Sequence, residues 1–358
     1  MFILEKRAER SSRMALLSPF IAIGLMLVSG AIIFALRGLD PLYSLYVYFL
    51  DPLLSAWSLQ ELVVKAAPLA LIGAGLAISY TANVWNIGAE GQLTMGAVFG
   101  AMLPILYPEW QSPLTLFSML LLGAIGGMAW GAIPAYLKNR FNANEILTSL
   151  MLVYVAQYIL DYLVRGPWRD PMGFNFPKSI SFTDWQTLPV WDTSRMHIGA
   201  IFALLAALGL GLMMAKGLKG YEVRVLGQAP RAGRFAGFSR NKMVSFCFLL
   251  SGGLAGLAGI CEVAGPVGQL QPGISPGYGF TAIIVAFLGR LNPVGVIISS
   301  LILALSYLGG EAAQVTLGIS DKIAKVFQGM LLFYILACDM LILYRIRWRP
   351  RQSLLGKA

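Results

Sequence analysis

Thr81-Ala-Asn-Val-Trp-Asn-Ile-Gly-Ala-Glu-Gly-Gln92 decides how this chain is read. It is a polar, glycine-bearing island between two apolar runs, Leu62–Tyr80 and Leu93–Tyr107. Lipid offers no partner to a free N–H or C=O, so non-helical backbone at membrane depth persists only where protein or a water-filled cavity covers it. Glu90 adds a carboxylate whose burial in a bilayer costs about 2.5 kcal/mol or more. The island is therefore either a short loop in water or a helix break lining a solute route.

The composition places the runs in a membrane. The 358 residues are 57% hydrophobic and 12% charged, with a mean hydropathy of +0.71, whereas soluble chains carry about 25% charged residues. The net charge of +10 comes from cations grouped in short segments between apolar runs. No basic patch is interleaved with aromatics, which argues against nucleic acid as a partner. Cys247, Cys261 and Cys338 lie inside apolar runs, where packing is the expected role. His197 is the sole histidine, so histidine metal clusters are excluded.

Working outward, a span needs about 20 apolar residues. Ten candidates follow: 14–36, 62–80, 91–107, 114–137, 146–164, 197–215, 243–263, 278–290, 293–310 and 323–344, with 278–290 the shortest. The first follows a basic flank (Lys6, Arg7, Arg10, Arg13) and lacks a small-residue cleavage site, so it reads as a retained span. With both termini cytoplasmic, most of the 27 Lys and Arg fall inside: that flank, Lys138 and Arg140, the 216–242 loop, Arg290, and the 345–358 tail. Most loop carboxylates (Asp40, Asp51, Glu109, Asp170, Asp184, Asp192, Glu311, Asp321) then fall outside. Asp161, Glu262 and Asp339 sit near span ends, where snorkelling to water is expected. The outer segments 37–61 and 165–196 are aromatic- and proline-rich, and suit either connectors or docking surfaces. Glycines four apart (Gly96/Gly100, Gly123/Gly127, Gly127/Gly131, Gly252/Gly256) allow close helix approach.

A second break, Ala264-Gly-Pro-Val-Gly-Gln-Leu-Gln-Pro-Gly-Ile-Ser-Pro-Gly-Tyr-Gly-Phe-Thr281, cannot continue a helix. It falls five spans after the first and on the opposite side, as an inverted repeat requires. The halves are 62–164 and 243–344 of a single transmembrane domain, 1–358. Asn83, Trp85, Asn86, Glu90, Gln92, Gln269, Gln271, Tyr278 and Thr281 are the candidate pathway residues. Their amide and aromatic groups suit a neutral, planar, polar solute, and a sugar nearly as well; Glu90 suits locking a break by accepting N–H groups better than touching cargo. In the 216–242 loop, Pro230 suits the first turn of a short helix and Gly237 its end, with Arg231 and Arg234 between them.

In order, NVWNIGAEGQ, NEILTSLML (144–152), LVRGPWRDP (163–171), YEVRVLGQAPRAGRFAGFS (221–239) and SPGYGFTAIIVAFLGRLNPVG (275–295) resemble the permease of ABC importers. The likeness is to the branched-chain amino acid and ribose permease family, nearest its nucleoside and simple-sugar branch, over about 60–345. It implies an all-α polytopic membrane protein, about ten transmembrane helices in two inverted halves, in a bacterial cytoplasmic membrane. It further implies cytoplasmic ATPase subunits that hold ATP and Mg, a second permease subunit, and an external substrate-binding lipoprotein. A coupling helix would span about Gln228–Gly237, with Glu222, Arg224, Gly227, Pro230, Arg231, Arg234 and Gly237 at the ATPase contact. Ala229 and Gly233 depart from the family's Asn and Ala, and Gly233 weakens a helix by roughly 0.5–1 kcal/mol.

No G-x-x-x-x-G-K-[ST] occurs, as expected where ATP chemistry lies on another chain and this one needs no cofactor. Gly273-Ile-Ser-Pro-Gly277 mimics a hydrolase elbow, but Pro276 removes an oxyanion donor and the histidine lies upstream. The alternatives are an ion-coupled transporter using Glu90 and an intramembrane enzyme, the latter lacking paired Asp or a Ser/Lys dyad.

Overall fold

The computed structural model describes residues 2–6, 12–190, 195–320 and 322–348. Arg7, Arg10, the cations of 349–358, Asp192 and Asp321, and the side chains of Arg13 and Asp339, lie outside the described residues. The chain divides into two compact units, Met1–Pro52 with Gly309–Ala358, and Leu53–Leu308.

The first unit opens with β1 (Phe2–Lys6), followed by α1 (Ser12–Leu36) and α2 (Pro41–Phe49), and the short α3 (Asp51–Leu54) crosses into the second. The second holds α4 (Ala56–Thr81), α5 (Ala89–Leu106), α6 (Pro113–Phe141), α7 (Glu145–Arg165), α8 (Gly199–Lys216), α9 (Leu218–Gln228), α10 (Pro230–Phe235), α11 (Arg240–Glu262) and α12 (Tyr278–Leu288). The helix α13 (Pro293–Leu317) runs from the second unit into the first, which ends with α14 (Ile323–Leu343) and β2 (Tyr344–Trp348).

Among the described residues, eight helices are long and apolar enough to cross a membrane. Of the ten expected spans, one departs furthest from a full crossing. The 278–290 candidate is α12, whose 11 residues span only about 16 Å, against a hydrocarbon core of about 30 Å. It is a half-helix. The second span also starts earlier than residue 62, at Ala56, because Glu61 and Lys65 are carried within the first turns of α4 rather than ending it. The chain is all-α as expected, apart from one short pair: β1 and β2 run antiparallel, Phe2 opposite Trp348. The alternation Tyr344-Arg-Ile-Arg-Trp348 has the two-residue period of a strand, a signal too short to stand out beside a long span.

In the first unit α1 packs along α14. Phe327 is the hub: its ring lies 4.6 Å from that of Tyr48 and 5.8 Å from that of Phe34. Gly309 passes so close to Tyr48 that a Cβ would sit 2.1 Å from its carbonyl oxygen.

The core of the second unit is the α5–α6–α11 contact, with α4 against α11. The four-apart glycines do pack there. A Cβ on Gly96 would lie 2.1 Å from Gly256 Cα, and one on Gly127 would lie 2.1 Å from the carbonyl oxygen of Gly252. Backbone meets backbone, so dispersion rather than the hydrophobic effect holds these helices together.

Candidate functional site

α4 ends at Thr81 and α5 begins at Ala89, so the first break is shorter than expected: Glu90 and Gln92 lie in the first turn of α5, not in the loop. Asn83, with φ of 56°, makes the left-handed turn, a conformation Asn tolerates better than most residues. Its Oδ1 accepts from Trp85 Nε1 at 3.0 Å. Trp85 in turn lies 5.2 Å from the ring of Tyr80 and 6.2 Å from that of Phe287.

Asn86 is fully buried and uses its whole amide. Its Nδ2 donates to Gln92 Oε1 and to Ser251 Oγ, both at 2.8 Å. Its Oδ1 accepts from Gly88 N at 3.0 Å and Gln92 Nε2 at 3.1 Å. Tyr80 Oη donates to its backbone carbonyl at 3.0 Å. Asn86 and Gln92 thus answer each other, and the break's freed polar groups are satisfied by protein.

The second break has the same logic. After α11 the chain makes a π turn, Val263–Val267, and Gly268 turns left-handed. The 165–196 segment supplies partners for the released backbone. Leu188 N donates to Ala264 O at 2.7 Å, Phe182 N to Gly268 O at 2.8 Å, and Ser179 N to Leu270 O at 2.8 Å. Ser179 Oγ accepts from Leu270 N at 2.9 Å. The segment left open between connector and docking surface is, over 179–188, a cover for the second break. Gln269 Nε2 bonds Gln271 Oε1 at 3.2 Å, and Ser275 Oγ caps α12 by accepting from Gly277 N and Tyr278 N at 3.1 and 2.9 Å. Tyr278 stands edge-on to Tyr307, whose hydroxyl bonds Thr281 Oγ1 at 2.7 Å.

Glu90 joins the two breaks. Its carboxylate Oε2 accepts from Gly279 N at 2.6 Å, a charge-assisted bond at the positive end of α12. Gly279 leaves no room for a side chain: a Cβ would lie 2.2 Å from Glu90 N. Beside this junction a cavity of about 290 Å³ is lined by Glu90 and Thr94 of α5, Gln157, Tyr158 and Asp161 of α7, and Pro272–Ser275. Asp161 bonds Arg165 Nε at 2.8 Å near the end of α7. Glu262, expected to snorkel, is instead 8% exposed. Lys65, Glu61 and Arg195, the last two paired at 2.8 Å, set the field around it.

On the far side, α9 and α10 form a hairpin. Gly227 presses on the end of α4; a Cβ there would lie 1.9 Å from Thr81 O. Val223 and Leu226 bury beside Val84 of the first break. Pro230 starts α10 and Gly237, with φ of 84°, follows its end. Gly233 is buried against Leu226, where a Cβ would come within 2.7 Å of Cδ2, so its cost in helix stability is offset by packing. Arg231 and Arg234 are exposed and Phe235 is 94% exposed. Glu222 pairs with Lys219 at 2.6 Å within α9, and Arg224 ties α9 to α8 by donating to the carbonyl of Met214.

Ser251, Ser179, Gly279 and Phe235 were missed in the sequence. Gly279 and Phe235 stood within stretches already singled out, 264–281 and 221–239; Ser251 and Ser179 are ordinary residues whose role depends on a distant segment.

Two interrupted helices joined by a buried carboxylate, with a third element pressed on the base of one break, define a membrane transport protein. A family model described as branched-chain amino acid transport system / permease component matches residues 58–336. The chain belongs to that family of ABC transporter permeases, which are transport subunits and not enzymes. It is 33% identical to the glucose ABC transporter permease protein TsgB13 of Haloferax volcanii over 96% of this chain and 93% of that protein. It is 28% identical to the guanosine ABC transporter permease protein NupP of Bacillus subtilis over 89% of this chain and 92% of that protein. It is 26% identical to the nucleoside ABC transporter permease protein NupB of Lactococcus lactis over 89% of this chain and 90% of that protein. No solved structure matches the chain.

Proposed function

We propose that the chain is one permease subunit of an ATP-driven importer that carries a nucleoside across the cytoplasmic membrane. One observation carries the mechanism: the α9–α10 hairpin, the first break and the second break touch in series, at Gly227 on Thr81 and at Glu90 on Gly279. In this reading the 216–242 loop and both termini face the cytoplasm, and cytoplasmic ATPase subunits, which hold ATP and Mg, seat Phe235 between Arg231 and Arg234. Closure of the ATPases moves the hairpin, the hairpin moves the end of α4, and the Glu90–Gly279 bond passes that motion to α12. A second permease subunit completes the path, the halves rocking about a site near the midplane in alternating access. An external binding lipoprotein delivers cargo at the opposite side, where residues 179–188 cover the second break.

A simple sugar is the second reading, favoured by the likeness to the Haloferax glucose permease protein. Purification of the tagged chain in gentle detergent, with mass spectrometry of what stays bound, tests the importer class. An ATPase carrying a Walker motif, together with a second permease, is expected. A chain that comes out alone at every salt and detergent condition overturns it. Uptake of labelled guanosine and glucose by the same cells separates the two cargoes.

A further inference from the structure

The membrane-facing sides of the second unit are not alike. α8 exposes Leu204, Leu205, Leu208 and Leu212, and α6 exposes Leu114, Phe117, Leu121 and Ile125. Such plain hydrocarbon suits lipid. α7 differs. Its buried side is Ser149, Val153, Ala156, Leu160 and Val164, against α5. Its open side begins as hydrocarbon, with Leu147, Met151 and Val155, but adds Tyr154, Tyr158 and Tyr162 at 50%, 75% and 70% exposure, with the amide of Gln157 and the half-buried carboxylate of Asp161 alongside.

Tyrosines one turn apart, about 6 Å along the axis, form a ladder of rings and hydroxyls. Tyr162, one turn from the end of α7, fits the interfacial belt common to membrane helices. Tyr154 does not: it lies midway along this 21-residue helix. In hydrocarbon its hydroxyl and the neighbouring amide would go without partners. The ladder also leads somewhere. Tyr158, Gln157 and Asp161 are walls of the 290 Å³ cavity that reaches Glu90 and the second break. That volume is at the small end of ligand sites, roughly 300–1,000 Å³.

We infer that the Tyr154–Tyr158 face of α7 lines the water-filled cargo path, and that Tyr158 stacks on the flat ring of an uncharged nucleoside whose hydroxyls reach Gln157 and Ser275. Two carboxylates, Glu90 and Asp161, border the cavity, so phosphorylated cargo is disfavoured and a nucleoside is preferred to its nucleotide. This rests on the importer reading above, and deepens it by naming residues and cargo chemistry.

Single cysteines test it. The three native cysteines are buried, so an introduced one reports its own surroundings. Tyr158→Cys, Tyr154→Cys and Leu205→Cys are made in the full transporter in membrane vesicles and exposed to a membrane-impermeant thiol reagent. The first two react and Leu205→Cys does not; guanosine protects Tyr158→Cys while guanosine monophosphate and glucose do not. In uptake, Tyr158→Ala raises the guanosine KM by about tenfold or more at little changed maximal rate, as the loss of one base–aromatic stack implies. Tyr158→Phe keeps the ring and stays near wild type. Tyr158→Cys as unreactive as Leu205→Cys overturns the path; reactivity with glucose protection overturns the nucleoside ring. The labelling needs no ATP, so a failed importer reading, seen as absent ATPase subunits, is distinguishable from a failed path.

Discussion

Replacing Gly279 with alanine puts one methyl where two breaks meet. The added Cβ would lie 2.2 Å from Glu90 N and 2.5 Å from Glu90 Cα, whereas carbon contacts settle at about 3.5–4.0 Å. Both neighbours are backbone, so no rotamer change relieves the clash, and α5 and α12 must separate by about 1 Å or more. Overpacking of this kind costs about 1–3 kcal/mol. The 2.6 Å bond from Gly279 N to Glu90 Oε2 stretches as well, and a charge-assisted bond contributes about 1.5–3 kcal/mol. Together these amount to about 3–5 kcal/mol, since the two terms share one displacement and do not simply add. Thermal unfolding in detergent, followed by tryptophan fluorescence, should show a clearly lower midpoint, and uptake should fall to background while the hairpin still binds its ATPase. Glu90→Gln, which keeps the shape and loses the charge, should fall between wild type and Gly279→Ala. A Gly279→Ala protein with wild-type midpoint and uptake would refute the claim that the breaks are locked together here.

Four further outcomes follow from named contacts. Asn86→Ala strands the Gln92 amide and the Gly88 N–H in a buried site, at about 1–3 kcal/mol for each group left unpaired; a melt indistinguishable from wild type contradicts the reciprocal amide pair. Arg231→Glu with Arg234→Glu should abolish ATPase co-purification while membrane insertion stays normal, and retention of both ends the docking idea. His197 is buried between Gly199 and Gly265, and burial lowers its pKa to about 4 from 6.5. The unfolded chain therefore binds the extra proton between those values, so stability is full above about pH 6.5 and declines as pH falls toward 4, by up to about 3 kcal/mol. His197→Gln should flatten that part of the pH–melting curve, and an unchanged slope counts against it. Gly127→Ala, with its Cβ against the Gly252 carbonyl, should cost about 1–3 kcal/mol and lower the yield of folded protein, whereas Gly209→Ala, with open space around it, should not.

The parts of the fold legible in the sequence were those written locally. Both breaks were visible because glycine, proline and amide residues interrupt long apolar runs, and Pro230 and Gly237 marked the ends of α10. What escaped was set by distance along the chain. Nothing near Gly279 says that its N–H will meet a carboxylate from Glu90, and nothing near Ser179 says that it will bond Leu270. Glu262 was misjudged for the same reason, since the helices packed on α11 that bury it lie far off in sequence. The 278–290 segment had a span's composition but half its length. The pathway residues divided by chemistry: Asn86 and Gln92 are occupied with each other, whereas Glu90 borders the cavity.

The unit built from both ends of the chain has a consequence for biogenesis. α1 packs on α14, and β1 pairs with β2, partners separated by roughly the whole length of the polypeptide. At about 5–20 residues per second, α1 waits on the order of a quarter-minute to a minute in the bilayer before its partner is synthesised. Its composition suits that wait: it has the highest mean hydropathy of the eight candidate spans, whereas α5, rich in polar groups and largely buried within its own unit, has the lowest. A nascent chain that has not yet reached α14 leaves α1 and its strand without the partners they find here.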